Sequence, residues 1–202
     1  MDNKKFDIMA IIDDEDKELL NNNRVLNMSK IDWGKTISIS NQYIQRNFLK
    51  KILNNQNIYC TDDKDLPKNI NISNNSPGFD IIVVKENKKN IRIQSKLRQV
   101  EGKFDFSQQI DFETTRRNSI KNSDKNHTGH VCYGIDEFDF VMVTLVNVKY
   151  NREKIKDCNK WSFCLIPIAD LIDNDKKNCC ISKITPTILQ KNLIDFNKKI
   201  IL

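Results

Sequence analysis

Pro77-Gly78-Phe79-Asp80-Ile81-Ile82-Val83-Val84 is followed by the polar turn Lys85-Glu86-Asn87-Lys88-Lys89-Asn90 and then by Ile91-Arg92-Ile93-Gln94-Ser95-Lys96-Leu97-Arg98. After Asp80 the first segment is continuously apolar, as in a strand covered on both faces. The second segment alternates strictly, with Ile91, Ile93, Ser95 and Leu97 on one face and Arg92, Gln94, Lys96 and Arg98 on the other. The two read as a strand hairpin over about 79–97. Its register sets a carboxylate, Asp80, beside Gln94 and Lys96 of the neighbouring strand.

Outward from this hairpin the chain reads as α/β. Residues 1–37 form an N-terminal extension, irregular or helical, with the acidic patch Asp13-Asp14-Glu15-Asp16. Ser38 or Ser40 is placed to cap a helix over about 41–54, where Tyr43, Ile44, Phe48, Ile52 and Leu53 recur at helical spacing. A connection from Asn54 to Pro77 has room for a short strand at Ile58-Tyr59-Cys60. Beyond the hairpin, a helix is expected from Asp105 or Ser107 to about Asn122, on a thin stripe of Phe106, Ile110 and Ile120. Asn122–Gly129 reads as a loop, Phe138–Val148 and Trp161–Pro167 as strands, and Ile168–Ile172 and Pro186–Phe196 as helical. The expected architecture is a central mixed sheet flanked by helices, in one domain over 38–202.

The chain of 202 residues has a formal net charge of +6. The charge is uneven: residues 1–20 sum to −4 and residues 81–130 to +5. The basic excess surrounds the hairpin, where a polyanion would have to lie. A Lys-rich surface that merely aids solubility accounts for the same charge. The six cysteines (Cys60, Cys132, Cys158, Cys164, Cys179, Cys180) share no spacing pattern. The N-terminal residues do not read as a secretory leader, and no run approaches eighteen apolar residues. The expectation is a chain with reduced thiols in the cytoplasm, or in another intracellular compartment such as a nucleus or viral factory, not secreted and without a membrane partner.

Hydrolysis of a phosphodiester calls for a divalent cation to activate water and offset charge on the phosphate. Hard cations take oxygen ligands. Asp80 offers a carboxylate, Gln94 an amide oxygen and Ser95 a backbone carbonyl, while Lys96 can orient water or stabilise developing charge. The plain alternative is a strand that begins with an acid and carries a lysine on its solvent face.

Gly-Phe-Asp-Ile-Ile-Val, a short turn and Ile-Gln-Ser-Lys together resemble the active-site signature of the PD-(D/E)XK nuclease superfamily. The likeness is to the variant with Gln in place of the second acid, as in Mrr-like restriction endonucleases. The resemblance implies a restriction-endonuclease-like core over about 40–167, followed by C-terminal helical elements to 202. It gives catalytic roles to Asp80, Gln94 and Lys96 and a metal shell of Asp80, Gln94 and Ser95. It further implies Mg²⁺ (with Mn²⁺ as a substitute), double-stranded DNA as substrate, a homodimer, and a cognate DNA methyltransferase as genetic partner. Pro77 stands three residues before Asp80 instead of one. Members with Gln at the variable position usually recruit a further carboxylate, often from the helix before the first strand, and residues 41–54 contain no Asp or Glu. Gln42 and Gln45 offer a comparable oxygen there, Asp62, Asp63 and Asp65 lie in the following loop and Glu101 beyond the second strand; a weaker metal site, an acid from elsewhere and an inactive fold are the alternatives.

For DNA contacts, Arg92 and Arg98 lie on the same strand face as Gln94 and Lys96. Arg116, Arg117, Asn118, Lys121, Lys125, Asn126 and His127 follow on the expected helix and loop, where the resembling endonucleases face DNA. Arg and Asn read base edges and Lys and Arg hold phosphates; a solvated helix end is the competing reading. His127, His130 and Cys132 have no second pair at zinc-finger spacing. The expected activity is site-specific DNA cleavage of the type II restriction kind. A junction or repair nuclease and a non-catalytic DNA-binding protein on the same fold are the competitors.

Overall fold

A computed structural model describes residues 29–70, 78–99, 110–111, 115–117, 130–146, 161–173 and 183–194. Helix α1 runs Lys30–Leu53 and is followed by β1 Ile58–Cys60, β2 Ile81–Val83 and β3 Ile91–Gln99. Then come β4 Ile110–Asp111, β5 Thr115–Arg117, β6 His130–Cys132, β7 Phe140–Val146 and β8 Ser162–Pro167. A 3-10 turn at Ile168–Asp170, β9 Lys183–Ile184 and α2 Pro186–Lys191 complete the order. Five strands form a mixed sheet in the order β1-β2-β3-β7-β8. Its β3–β7 pair is parallel and the others antiparallel. Among the described residues no helix is long and apolar enough to cross a membrane.

The strict alternation in β3 is realised. Ile93 and Ser95 turn toward α1, and Ile37, Ile44, Phe48 and Leu49 of the helix pack there on Ile58, Ile81, Met142 and Phe163. Phe48 stacks on Phe163 with ring centroids 4.4 Å apart. The opposite face is covered by a second cluster, in which Val141, Val143 and Ile166 of the sheet meet Tyr133, Phe138, Leu171 and Leu189. β2 is buried throughout, as its unbroken apolar run requires.

The helix begins well before residue 41, and position 37/38 lies inside α1. Neither Ser38 nor Ser40 caps it: the Ser40 hydroxyl donates back to the Thr36 carbonyl at 3.1 Å, the alternative use of a serine inside a helix. Asn54, at φ 48°, ends the helix in the left-handed conformation that Asn tolerates. The expected helix over 105–122 is replaced, in its described parts, by two short strands: β4 pairs with β9, and β5 with β6. The Thr114-Thr115 pair disfavours helix, and both strand partners lie at a distance in sequence. Residues 118–129 and 195–202, including the expected loop and the end of the last helix, lie outside the described residues. The 3-10 turn and α2 are shorter than the helical segments expected there, and Leu193 bridges to Cys164 on β8.

Asp139 ties the start of β7 to β3. Its carboxylate accepts from the Arg92 backbone N–H at 2.9 Å, from Arg92 Nε at 3.3 Å and from Lys89 Nζ at 2.9 Å. Its own N–H donates to the Arg92 carbonyl at 2.8 Å. Burial pushes the carboxyl up, but the bonds from Lys89 and Arg92 outweigh it and leave the pKa below the usual value. A depressed folded pKa stabilises above the ordinary carboxylate range, and that contribution is lost as pH falls through the folded value. Asp139→Ala is therefore expected to cost about 1–2 kcal/mol at neutral pH, the lower part of the charge-assisted range because Lys89 is well exposed. The gap in melting temperature from the parent should close as the solution is acidified below pH ~4. A gap that stays constant with pH would assign the loss to packing instead.

Candidate active site

Asp80 lies directly before β2, and the register of β2 with β3 places it opposite Gln94. One of its oxygens, Oδ2, accepts hydrogen bonds from Gln94 Nε2 and from the Ser95 backbone N–H, the latter at 2.8 Å. Burial raises the Asp80 pKa, while the Ser95 N–H, the Lys96 charge and the Gln94 amide pull it back and the Asp62 charge pushes it further up. A cation bound at this carboxylate would offset the burial that raises it.

Gln94 presents its amide nitrogen to Asp80. To share a cation with Asp80 its oxygen must come round by a half-turn of the terminal amide, a rotation that leaves the backbone untouched. The Ser95 carbonyl also accepts from Gln94 Nε2, at 3.3 Å. Asp80 Oδ2 and the Ser95 carbonyl thus both meet the Gln94 amide nitrogen at the end of the β2–β3 pair. Carboxylate, amide and carbonyl oxygens are ligands of the kind that hard divalent cations take, not thiophilic ones.

Lys96 lies on the Gln94 side of β3, on the face that Tyr133 covers. Its Nζ is 3.3 Å from the Tyr133 hydroxyl and 5.1 Å from the centre of that ring.

The helix side holds the other half of the site through amides, not acids. Asn41 Nδ2 donates to Ser95 Oγ at 2.9 Å. Gln45, fully buried, donates from Nε2 toward the Lys96 carbonyl at 3.2 Å, the Met142 carbonyl at 3.1 Å and Thr144 Oγ1 at 2.8 Å. Of the expected oxygen donors on α1, Gln45 thus serves as a donor that fixes the strand backbone at Lys96. Among the described residues, the Asn41 and Gln45 side-chain oxygens are buried without a hydrogen-bond partner. Asn41, which hydropathy patterning passes over as a surface residue, is the α1 amide that reaches the Ser95 side chain.

The acid nearest in effect to Asp80 comes from the turn after β1. The Thr61 N–H donates to the Asp80 carbonyl at 3.0 Å, so Asp62 follows beside Asp80. Tyr43 of α1 donates its hydroxyl to Asp62 at 3.0 Å. Burial first, and then Asp62, push the Tyr43 hydroxyl up to about 12. Asp63 is otherwise engaged: it pairs with Arg46 at 2.7 Å and accepts from the Cys60 N–H at 2.7 Å. Cys60, Asp62 and Asp63 bring ligand atoms within 4.8 Å of one another, yet burial drives the Cys60 thiol far above its usual pKa. Cys60 and Asp63 are thus poor ligands, and Asp62 is the member of the trio with chemistry to offer.

The expected DNA contacts fare unevenly. Arg98 is exposed at the far end of β3. Arg92 is committed to Asp139, so its phosphate role is replaced by a structural one. Arg116 and Arg117 lie in β5, not on a helix; Asn118, Lys121, Lys125, Asn126 and His127 lie outside the described residues.

No family model, no curated protein and no solved structure matches this chain.

Proposed function

We propose that the chain is a Mg²⁺-dependent DNA endonuclease of the restriction type, acting on double-stranded DNA as a homodimer, with a DNA methyltransferase as its genetic partner. The observation that carries the reading is the meeting of Asp80, Gln94 and the Ser95 backbone at one strand end, with Lys96 on the same strand face as Gln94. Asp80, the Gln94 amide oxygen and the Ser95 carbonyl would hold the cation, and Asp62 is the carboxylate placed to join them. The bound cation would neutralise phosphate charge and make water acidic enough to attack.

The chain's own residues then divide the work. Asp80 anchors, and its buried carboxyl is held by the Ser95 N–H so that it does not swing. Lys96 places a positive charge beside the scissile phosphate. Asn41 and Gln45 fix the β3 backbone that carries these groups, which keeps their spacing within the tolerance that catalysis demands. A non-catalytic DNA-binding protein is favoured by one feature, the amide at position 94 where a second acid would bind metal more firmly.

Purified protein with Mg²⁺ should cut plasmid DNA into discrete fragments, and Lys96→Ala should lower the rate by about 10²–10³-fold. Asp62→Asn should keep residual cutting but require more Mg²⁺. DNA binding with no cutting in Mg²⁺ or Mn²⁺ would select the non-catalytic reading. Preference for branched DNA without discrete bands would select a junction nuclease.

A further inference from the structure

We propose that Tyr133 is a positioning residue for Lys96, fixing the place of the lysine ammonium in the site; the inference rests on the nuclease reading above. A lysine carries its charge on a flexible four-carbon stem, so a catalytic lysine needs something to hold its end. Tyr133 follows β6, and its ring is buried, 7% exposed, in the cluster on the Lys96 side of the sheet. The Lys96 ammonium donates to its hydroxyl at 3.3 Å. The ammonium sits closer to that oxygen than to the ring centre, 5.1 Å away. The hydroxyl and the ring face thus both hold the ammonium, and the hydrogen bond, which uses one of three ammonium protons, is the directional contact of the two.

Tyr133 is itself held. The edge of Phe138 meets its ring at 5.4 Å with planes 75° apart. Between the two, the chain turns tightly: Glu137 N–H donates to the Gly134 carbonyl at 3.2 Å, and Gly134 N–H to Glu137 Oε1 at 3.4 Å. This turn lies hard against the other arm of the site. A Cβ on Gly78, two residues before Asp80, would collide with the Glu137 side chain. One short segment thus touches both the arm that carries Asp80 and the lysine on the neighbouring strand. That arrangement fixes the Lys96 charge relative to Asp80, the spacing on which in-line attack at phosphorus depends.

Tyr133→Phe removes the hydroxyl and keeps the ring, its Phe138 contact and its burial. The variant is expected to melt with the parent and bind DNA with the same Kd. Its kcat for cleavage should fall about 10-fold with KM unchanged. By NMR relaxation, the Lys96 Cε methylene should become more mobile than in the parent. A variant that cleaves at the parental kcat, or whose loss appears in KM or tracks a fall in Tm, overturns the proposal. The NMR readout needs no cleavage. If the parent cuts no DNA, the nuclease reading fails on its own. Lys96 mobility then decides the role of Tyr133: a rise in the variant upholds it, and no change overturns it.

Discussion

Asp80→Asn is expected to abolish DNA cleavage while raising the melting temperature at neutral pH in metal-free buffer. The loss of cleavage should be at least ~10³-fold, because the cation would lose its one charged ligand within the strand pair. The gain in stability follows from the direction of the Asp80 shift, which burial sets upward. An unfolded aspartate ionises near pH ~3.9. Between that value and the raised folded pKa, the native state holds a proton that the unfolded chain has released. Stability therefore falls as pH rises through this window and stays lower above it. An Asn oxygen at position 80 can still accept from the Ser95 N–H and the Gln94 amide, so the substitution removes the buried charge and keeps its hydrogen bonds. At this chain length each kcal/mol corresponds to roughly 2–4 °C in Tm, well within the reach of calorimetry. The difference between variant and parent should vanish in acid, where Asp80 is protonated in both states. Added Mg²⁺ should raise the Tm of the parent and leave the variant unmoved, since only a ligand bound to the native form stabilises it. A variant less stable than the parent at neutral pH would mean that Asp80 holds the fold together instead of straining it. Undiminished cutting would place the chemistry elsewhere.

The hairpin was legible because its information is local. A period of two assigns Gln94 and Lys96 to one face and Ile93 and Ser95 to the other, and a polar turn fixes the register that sets Asp80 opposite Gln94. The buried strands β7 and β8 were legible for the same reason. What could not be read comes from contacts distant in sequence. Nothing near Thr115-Arg116-Arg117 announces that these residues pair with His130-Val131-Cys132, and the thin apolar stripe through Ile110 gives no sign of the strand at Ile110–Asp111. Tyr43 reaches from α1 to Asp62 in the turn after β1, and Tyr133 reaches Lys96 from the segment that follows β6. Tyr43 reads as part of the apolar stripe of the helix, and nothing in the sequence around Tyr133 singles it out. α1 carries no acid over 41–54; it supplies amides to the strands and a tyrosine to Asp62, one of the acids that the sequence offers beyond the helix. Arg92 read as a phosphate contact because its face was right; its partner Asp139 lies 47 residues on and claims it.

Phe48→Ala is the substitution expected to cost most in stability, and its effect should reach the site from behind. Phe48 is fully buried and stacks on Phe163 of β8 at 4.4 Å. Truncating a buried phenylalanine removes its transfer energy and leaves a cavity, together about 3–5 kcal/mol, or roughly 10 °C in Tm at this size. Phe48→Leu should recover most of that, since it fills much of the volume. The helix segment just before Phe48 carries Asn41, Tyr43 and Gln45, whose hydrogen bonds end on Ser95, Asp62 and the Lys96 carbonyl. Loosening the helix at Phe48 should therefore lower kcat in step with the loss of stability. Cooling well below the melting temperature of the variant should return its rate toward that of the parent at the same temperature. Asp80→Asn behaves oppositely: stability rises and no temperature restores cutting. A core substitution and a site substitution are thereby separated by the sign of one measurable correlation. If Phe48→Ala lost cleavage that cooling did not return, α1 would have to contribute a group to the chemistry itself. Asn41, with its side-chain oxygen buried and unpartnered among the described residues, would be the first to replace.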